Sequence, residues 1–364
     1  MSYDFTELSE LININSYTKN KRGVDKNGEI FSQKMLELGF ELQKFKESHI
    51  GDHLLFKSPK KEGEKILLVG HLDTVFAPNT FEKFHEDDEW IYGPGVCDMK
   101  GGNFVALESL RNVKKELHDI YNIDMFLVSD EETGSDDSKA ITENLAKEYD
   151  YALVFEAAGE NDEVVIGRKG VATLYVDIKG HAAHAGNCYL DGVDANLEAA
   201  RMIIALSHLT NLSLGTTVNV GKIEGGIGAN TISAYAKLTL EFRYSNSSQR
   251  DKVMQEIYDI VHNTTTKGIK TKLSGGIQRD VFEPDQKQAD FIKRIENIIG
   301  KKLKTEKRGG VSDANILANA GVTTLDGFGP FGDGDHTIHE RASKKSFLNR
   351  VDMVTKILKE FVRN

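Results

Sequence analysis

Only two cysteines, Cys97 and Cys188, occur in the 364 residues. Two thiols so far apart build neither a disulfide framework nor a cysteine-based zinc site. Long apolar runs are also missing: nothing approaches the roughly 18 consecutive apolar residues of a membrane helix. The opening residues 1–14 have no basic stretch leading into an apolar core, so no secretory signal is expected. Basic residues form no stripe, and 46 Lys+Arg against 56 Asp+Glu leave a net charge of -10. That balance speaks against nucleic acid or a membrane surface as partner. The lysine-rich stretch 57–65 is interrupted by Glu and Gly and reads as a solvated hairpin. There is no internal repeat and no low-complexity tail. What remains is a chain of ordinary composition, 39% hydrophobic and 28% charged, with ample core. It is expected to be a reduced, cytoplasmic enzyme.

The length suggests two domains, at about 150 residues each. Residues 66–69, Ile-Leu-Leu-Val, form an unbroken apolar run suited to a strand buried on both faces of a parallel sheet. Similar runs at 123–128 and 151–155 predict two more such strands, with shorter ones near 40–43, 54–57 and 322–325. Helices are expected around Phe5–Ile12, around Phe31 and Met35 with a stop at Gly39, and on Phe104, Leu107 and Leu110. Two more follow on Phe291 and Ile295 and on Phe347, Val351, Val354, Leu358 and Phe361, and Ser312 N-caps another over 313–320. Between these, from about Gly170, the texture changes to strict alternation: Ala172, Leu174, Val176 and Ile178, then Ala236, Leu238, Leu240 and Phe242. A helix with Val193, Leu197, Ala200 and Ile204 inward, strands near 216–222 and 234–242, a helix on Val253, Ile257 and Val261, and a strand near 270–273 complete this part. The order strand-helix-strand-strand-helix-strand describes a small α+β sandwich of ferredoxin type. The expected fold class is therefore α/β: a mostly parallel sheet domain with helices on both faces, residues 1–169 and 281–364, and an inserted ferredoxin-like domain, 170–280.

The chemistry collects at strand ends, where open α/β sheets bind ligands. His71 closes the first run, with Asp73 placed to hold its other ring nitrogen. Asp98 lies in a glycine-rich loop, Glu131 and Glu132 follow the second run, Glu156 the third, and His336 a late glycine-rich loop. Two imidazoles with several carboxylates suit zinc, with cobalt or manganese as substitutes. Crowded carboxylates need a cation. Glu131 and Glu132, read as extended neighbours, point opposite ways and can divide ligand and base duties. His339 is an alternative to His336, and His181 is read as solvated beside His184. The sequence GFGPFG at 327–332 spells GxGxxG but leads into no helix and makes no dinucleotide site; Asp333 and Asp335 lack the rest of a calcium loop.

In their order, GHLDTV, GPGVCDMKGG, SDEETGS, Glu156, GHAAHAG, GANTIS and HTIHE resemble the dizinc aminoacylase and carboxypeptidase family, which includes glutamate carboxypeptidase, acetylornithine deacetylase and succinyl-diaminopimelate desuccinylase. The resemblance spans essentially the whole chain. It implies two zinc ions bridged by Asp98, with His71 and Glu156 on one and Glu132 and His336 on the other. It further implies Asp73 orienting His71, Glu131 as general base, and a cis peptide at Asp98-Met99. It favours His336 over His339. His184, Asn230, Arg243 and Gly310 would contact substrate, with His184 as an oxyanion donor; Arg168 and Arg279 are weaker candidates, read as surface arginines. GHLDTV and GPGVCDMKGG look most like the glutamate carboxypeptidase branch. The implied activity is release of an amino acid, Glu first among them, from a peptide or N-acyl amino acid; the alternative is N-acyl-amino-acid deacylation. The family also implies a homodimer through 170–280, which would serve as lid and dimerisation domain.

Overall fold

The computed structural model describes residues 3–363. The chain divides into two compact units. The first comprises the residues up to Gly167, Pro284–Arg308 and those from Ser312 onward; the second comprises Arg168–Glu283 and Gly309–Val311.

The first unit is built on a six-stranded sheet. Its strands are β1 (Glu41–Phe45), β2 (His53–Lys57), β3 (Ile66–His71), β4 (Ile123–Val128), β5 (Tyr151–Val154) and β6 (Thr323–Leu325). In space they run β1-β2-β4-β3-β5-β6. The β4/β3, β3/β5 and β5/β6 pairs are parallel, and β1/β2 and β2/β4 antiparallel, so the sheet is mixed. Every residue of β3 and β4 is buried, which is why these strands are unbroken apolar runs. Burial of Ile66, Leu67, Leu68 and Val69 contributes roughly 1.5–3 kcal/mol each, enough to offset carrying polar His71 into the same covered row. The chain leaves β3 for β4 on one side, then crosses to β5 on the other. Such a reversal opens a crevice at the carboxyl ends of the strands.

Helices Lys100–Leu117 and Lys344–Arg363 share one core, with Phe104 and Phe347 stacked at 6.2 Å and Ser109 Oγ donating to Val351 O. A second, four-stranded sheet joins Gly332–Asp333, Arg341–Ser343, Trp90–Tyr92 and His85–Glu86. These pieces are too short to show a period in the sequence. They bring the 332–343 segment alongside the chain that enters the Asp98 loop. Among the described residues no helix is long and apolar enough to cross a membrane.

The second unit has four antiparallel strands in the order Thr217–Gly225, Tyr235–Tyr244, Gly170–Lys179, Lys270–Arg279. Leu174, Val176, Ile178, Leu238, Leu240 and Phe242 form its core with Val253, Ile257 and Val261 of helix Ser247–His262. Two expectations need correction. Helix Ala195–Ser207 turns Ala195, Ala199, Met202 and Leu206 inward, leaving Leu197 and Ile204 exposed. Glu198 goes inward with the small residues because Thr265 and Thr266 satisfy its carboxylate through four hydrogen bonds. The last strand runs on to Arg279 rather than ending near Leu273. It continues through Gly275, whose φ of +90° and 2.2 Å gap between a would-be Cβ and Thr173 O admit only glycine.

Candidate metal centre

His71 is the final residue of β3 and only 1% exposed. Its Nδ1 lies 2.9 Å from the main-chain oxygen of Asp73 and 3.4 Å from Asp73 Oδ1. Two Asp73 oxygens thus face this nitrogen, the backbone one nearer and the carboxylate one beyond it. Asp73 Oδ2 accepts from Thr18 Oγ1 at 2.7 Å and from the Glu132 N–H at 3.3 Å, tying the β3 end to the β4 end. Asn103 Nδ2 donates to His71 O at 2.7 Å. That approach requires glycine at position 70, where a Cβ would sit 1.9 Å from Asn103 Oδ1. With Nδ1 donating to a carbonyl, Nε2 is left with its lone pair facing inward.

The inward Nε2 is 3.0 Å from Asp98 Oδ1 and 3.8 Å from Glu156 Oε1. The other oxygen, Asp98 Oδ2, is 3.2 Å from His336 Nε2, which is also 3.2 Å from Glu132 Oε2. One carboxylate thus faces two imidazoles. The result is two overlapping donor groups, His71/Asp98/Glu156 and Asp98/Glu132/His336, each with its ligand atoms within 4.8 Å of one another. The Asp98-Met99 peptide is cis. His336 occupies a left-handed turn at φ +61°, while His339 belongs to neither group.

The electrostatics describe a site short of positive charge. Burial and repulsion from Asp98 raise Glu132 to about 8, against the opposing hydrogen bond from His336. Burial, then Asp98, pushes Glu156 well above the usual range. Hydrogen bonds to Asp98 and Glu132 raise His336 to about 11. Burial opposes protonation of His71, yet Asp73, Asp98 and Glu156 carry its pKa well above the ordinary value. Asp98 goes the other way: burial alone would raise it, but the two imidazoles hold it well below the usual carboxylate range. Two carboxylates and two imidazoles that gather protons around the charged Asp98 match the donor set of a dication pair. The residues therefore fit the two metal ions that the sequence resemblance implies.

Glu131 and Glu132 lie in a 3-10 turn, Glu131–Thr133, and not in an extended segment. The chain turns because Asp130 O accepts from the N–H groups of Thr133 and Ser135 and Gly134 adopts φ +110°. The two side chains diverge by about a third of a turn instead of opposing each other. Glu131 contributes no ligand atom to either group, yet its charge is felt at both Glu132 and Glu156.

The sequence reading passed over Glu340. Its buried carboxylate accepts from the N–H groups of Gly95, Cys97 and Asp98 at 3.1, 2.9 and 3.1 Å, so it fixes the backbone that aims Asp98. Burial raises its pKa to about 8 despite those hydrogen bonds. Nothing local in HTIHE distinguishes it from a solvated acid. Lys100 was also missed: fully buried, it donates to the carbonyls of Leu11 and Ile14 at 3.0 and 2.9 Å, and burial lowers it to about 7.

The remaining predicted residues belong to the second unit. His184 bridges to Thr231, and its neighbour Ala185 donates to Asn230 O at 2.9 Å. His184 Nδ1 accepts the N–H groups of Gly186 and Asn187, which leaves the proton of the neutral ring on Nε2. Arg243 pairs bidentately with Glu241 and donates to Gly309 O at 3.0 Å. Arg168 and Arg279 are buried rather than on the surface, and Arg168 donates to Gly310 O at 3.2 Å.

The family model described as "Peptidase family M20/M25/M40" matches residues 67–360. The chain belongs to this family. As an M20 metallopeptidase it is a hydrolytic enzyme. Carboxypeptidase G2 of a Pseudomonas species is 29% identical over 340 residues, covering 91% of this chain and 82% of the relative. Succinyl-diaminopimelate desuccinylase of Rickettsia bellii is 27% identical over 322 residues, with 81% of each chain covered. Among solved structures, a tripeptidase of Staphylococcus aureus has a similar fold, with a TM-score of 0.84 at 24% identity over 99% of this chain and 98% of that one. Enzymes of the M20 family are generally dimetal-dependent.

Proposed function

We propose that this M20 enzyme cleaves an amide bond to release an amino acid, acting as a carboxypeptidase on a peptide or N-acyl amino acid with C-terminal Glu. The observation that carries the reading is Asp98, one carboxylate shared between two imidazole-carboxylate groups. His71 and Glu156 would hold one cation and Glu132 and His336 the other, zinc in each case, with Co2+ or Mn2+ as substitutes. Bound there, the ions supply Lewis acidity and lower the pKa of water toward neutrality. Glu131 takes the proton from the attacking water and delivers it to the departing amine. Asp73, through its main-chain oxygen, sets the tautomer of His71.

His184, Asn230, Arg243 and Gly310 are carried as substrate contacts. The fixed Nε2–H of His184 supports an oxyanion-donor role. A substrate carboxylate at Arg243 has to share the guanidinium with Glu241. Cleavage rates on acyl-glutamates, dipeptides and acetylornithine test the assignment. Acyl-glutamates and glutamyl-terminated peptides are expected to be cleaved fastest. Faster turnover of acetylornithine would replace it with the deacylase alternative. The lid and homodimer roles of the second unit belong to the same proposal. The outward Leu197 and Ile204 support pairing, and light scattering should then give the mass of two chains; the mass of one chain would remove the dimer.

A further inference from the structure

A second group of ligand-type side chains lies outside the central cluster. In the segment after β1, His49 Nε2 faces Asp137 Oδ2 at 3.2 Å. Glu47 joins them, and one ligand atom from each of the three lies within 4.8 Å of the others. A fourth side chain sets this group apart from an ordinary surface cluster. His53 is fully buried, its Nε2 has no hydrogen-bond partner, and that atom stands 4.0 Å from Glu47 Oε1.

The tautomer of His53 follows from its other nitrogen. Nδ1 accepts the Ser129 N–H at 3.1 Å, so the proton of the neutral ring sits on Nε2. His53 is therefore a buried donor, 4.0 Å from its neighbour Glu47 Oε1 and without a hydrogen bond, and not itself a ligand. A buried donor without an acceptor is unfavourable. Carboxylates that bind metals are commonly oriented by such a donor. The ligand set of one imidazole and two carboxylates suits a zinc-type divalent cation, and the exposure of His49 leaves its remaining positions to water.

We propose that Glu47, His49 and Asp137 form a peripheral site for one divalent cation of the zinc type, with His53 as the positioning residue that holds Glu47. The site grips both ends of the turn that carries Glu131 and Glu132. Ser129, at its start, donates to His53 through N–H and to Asp52 O through Oγ. Asp137, at its end, donates its N–H to Asp130 Oδ2 at 2.8 Å. A cation here would pin that turn to the 47–53 segment.

The test is zinc binding by the full chain, counted by elemental analysis after dialysis over a range of free Zn2+. His49→Ala and Asp137→Asn change exposed or half-exposed side chains, so folding should survive. Each is expected to bind one ion fewer per chain than the unsubstituted protein. His71→Ala should retain this ion, and His49→Ala combined with His71→Ala should lose it. His53→Phe keeps all three ligands and is expected to weaken this ion's affinity about tenfold, with thermal unfolding in chelator checking that the fold is intact. Equal zinc counts for the unsubstituted and His49→Ala proteins at every concentration would overturn the site. Unchanged affinity in His53→Phe would overturn the positioning role. The count is a difference between proteins that share the central cluster, so it does not depend on how many ions that cluster holds.

Discussion

Replacing Glu131 with Gln is expected to lower kcat by about 10²–10⁴-fold while the number of bound metal ions stays the same. The side chains have nearly the same shape, and Glu131 supplies no atom to either donor group. What Gln lacks is the ability to accept a proton from water. The carboxylate is close enough to both groups for its charge to raise Glu132 and Glu156. It sits on a turn fixed by two hydrogen bonds to Asp130 O and by Gly134, so the substitution should not move the backbone. Steady-state kinetics and metal analysis on the same preparation make the measurement. An unchanged rate would remove Glu131 as the base, and loss of an ion would move it into the ligand set.

Zinc uptake by the metal-free protein should strengthen steeply with pH and release protons. Without a cation His336 titrates at about 11 and Glu132 at about 8, and His71 and Glu156 are also raised. At pH 7 these groups hold protons that a cation must displace. The sign follows: below pH 8 every added unit of pH removes competition, so affinity rises. Four such groups shared between two ions make two protons per ion, a change in each ion's affinity of roughly 100-fold per pH unit. Calorimetry in buffers of differing ionisation enthalpy reads the proton count directly. Affinity that is flat between pH 6 and 8 would show that the cluster is not proton-loaded.

Much of the centre is legible in the sequence because its residues sit where the pattern breaks. His71 interrupts an apolar run, Glu156 follows another, and the fully buried strands β3 and β4 leave no ambiguity of face. Helix Ala195–Ser207 resists the same reading because two of its large apolar residues, Leu197 and Ile204, are exposed. The inward stripe there is alanine, methionine and one leucine around an acid whose partners, Thr265 and Thr266, lie far along the chain. Glu340 was invisible for the same kind of reason: its partners are backbone N–H groups of Gly95, Cys97 and Asp98, and no spacing rule links them to it. Arg168 looked like a solvated arginine until its carbonyl partner, Gly310, was in view. The turn at Glu131–Thr133 depends on hydrogen bonds to Asp130 O, which a reading of alternation does not see.

Glu340 and His336 both come from the last stretch of the chain, yet one holds the backbone of Asp98 and the other faces its carboxylate. During synthesis on the ribosome the strand ends that lead to His71, Glu132 and Glu156 emerge early, but Asp98 cannot be set in place until residues 336–340 follow. A nascent chain stalled before them would carry acidic strand ends with no defined cation geometry, and activity should arrive only once His336 and Glu340 have been made.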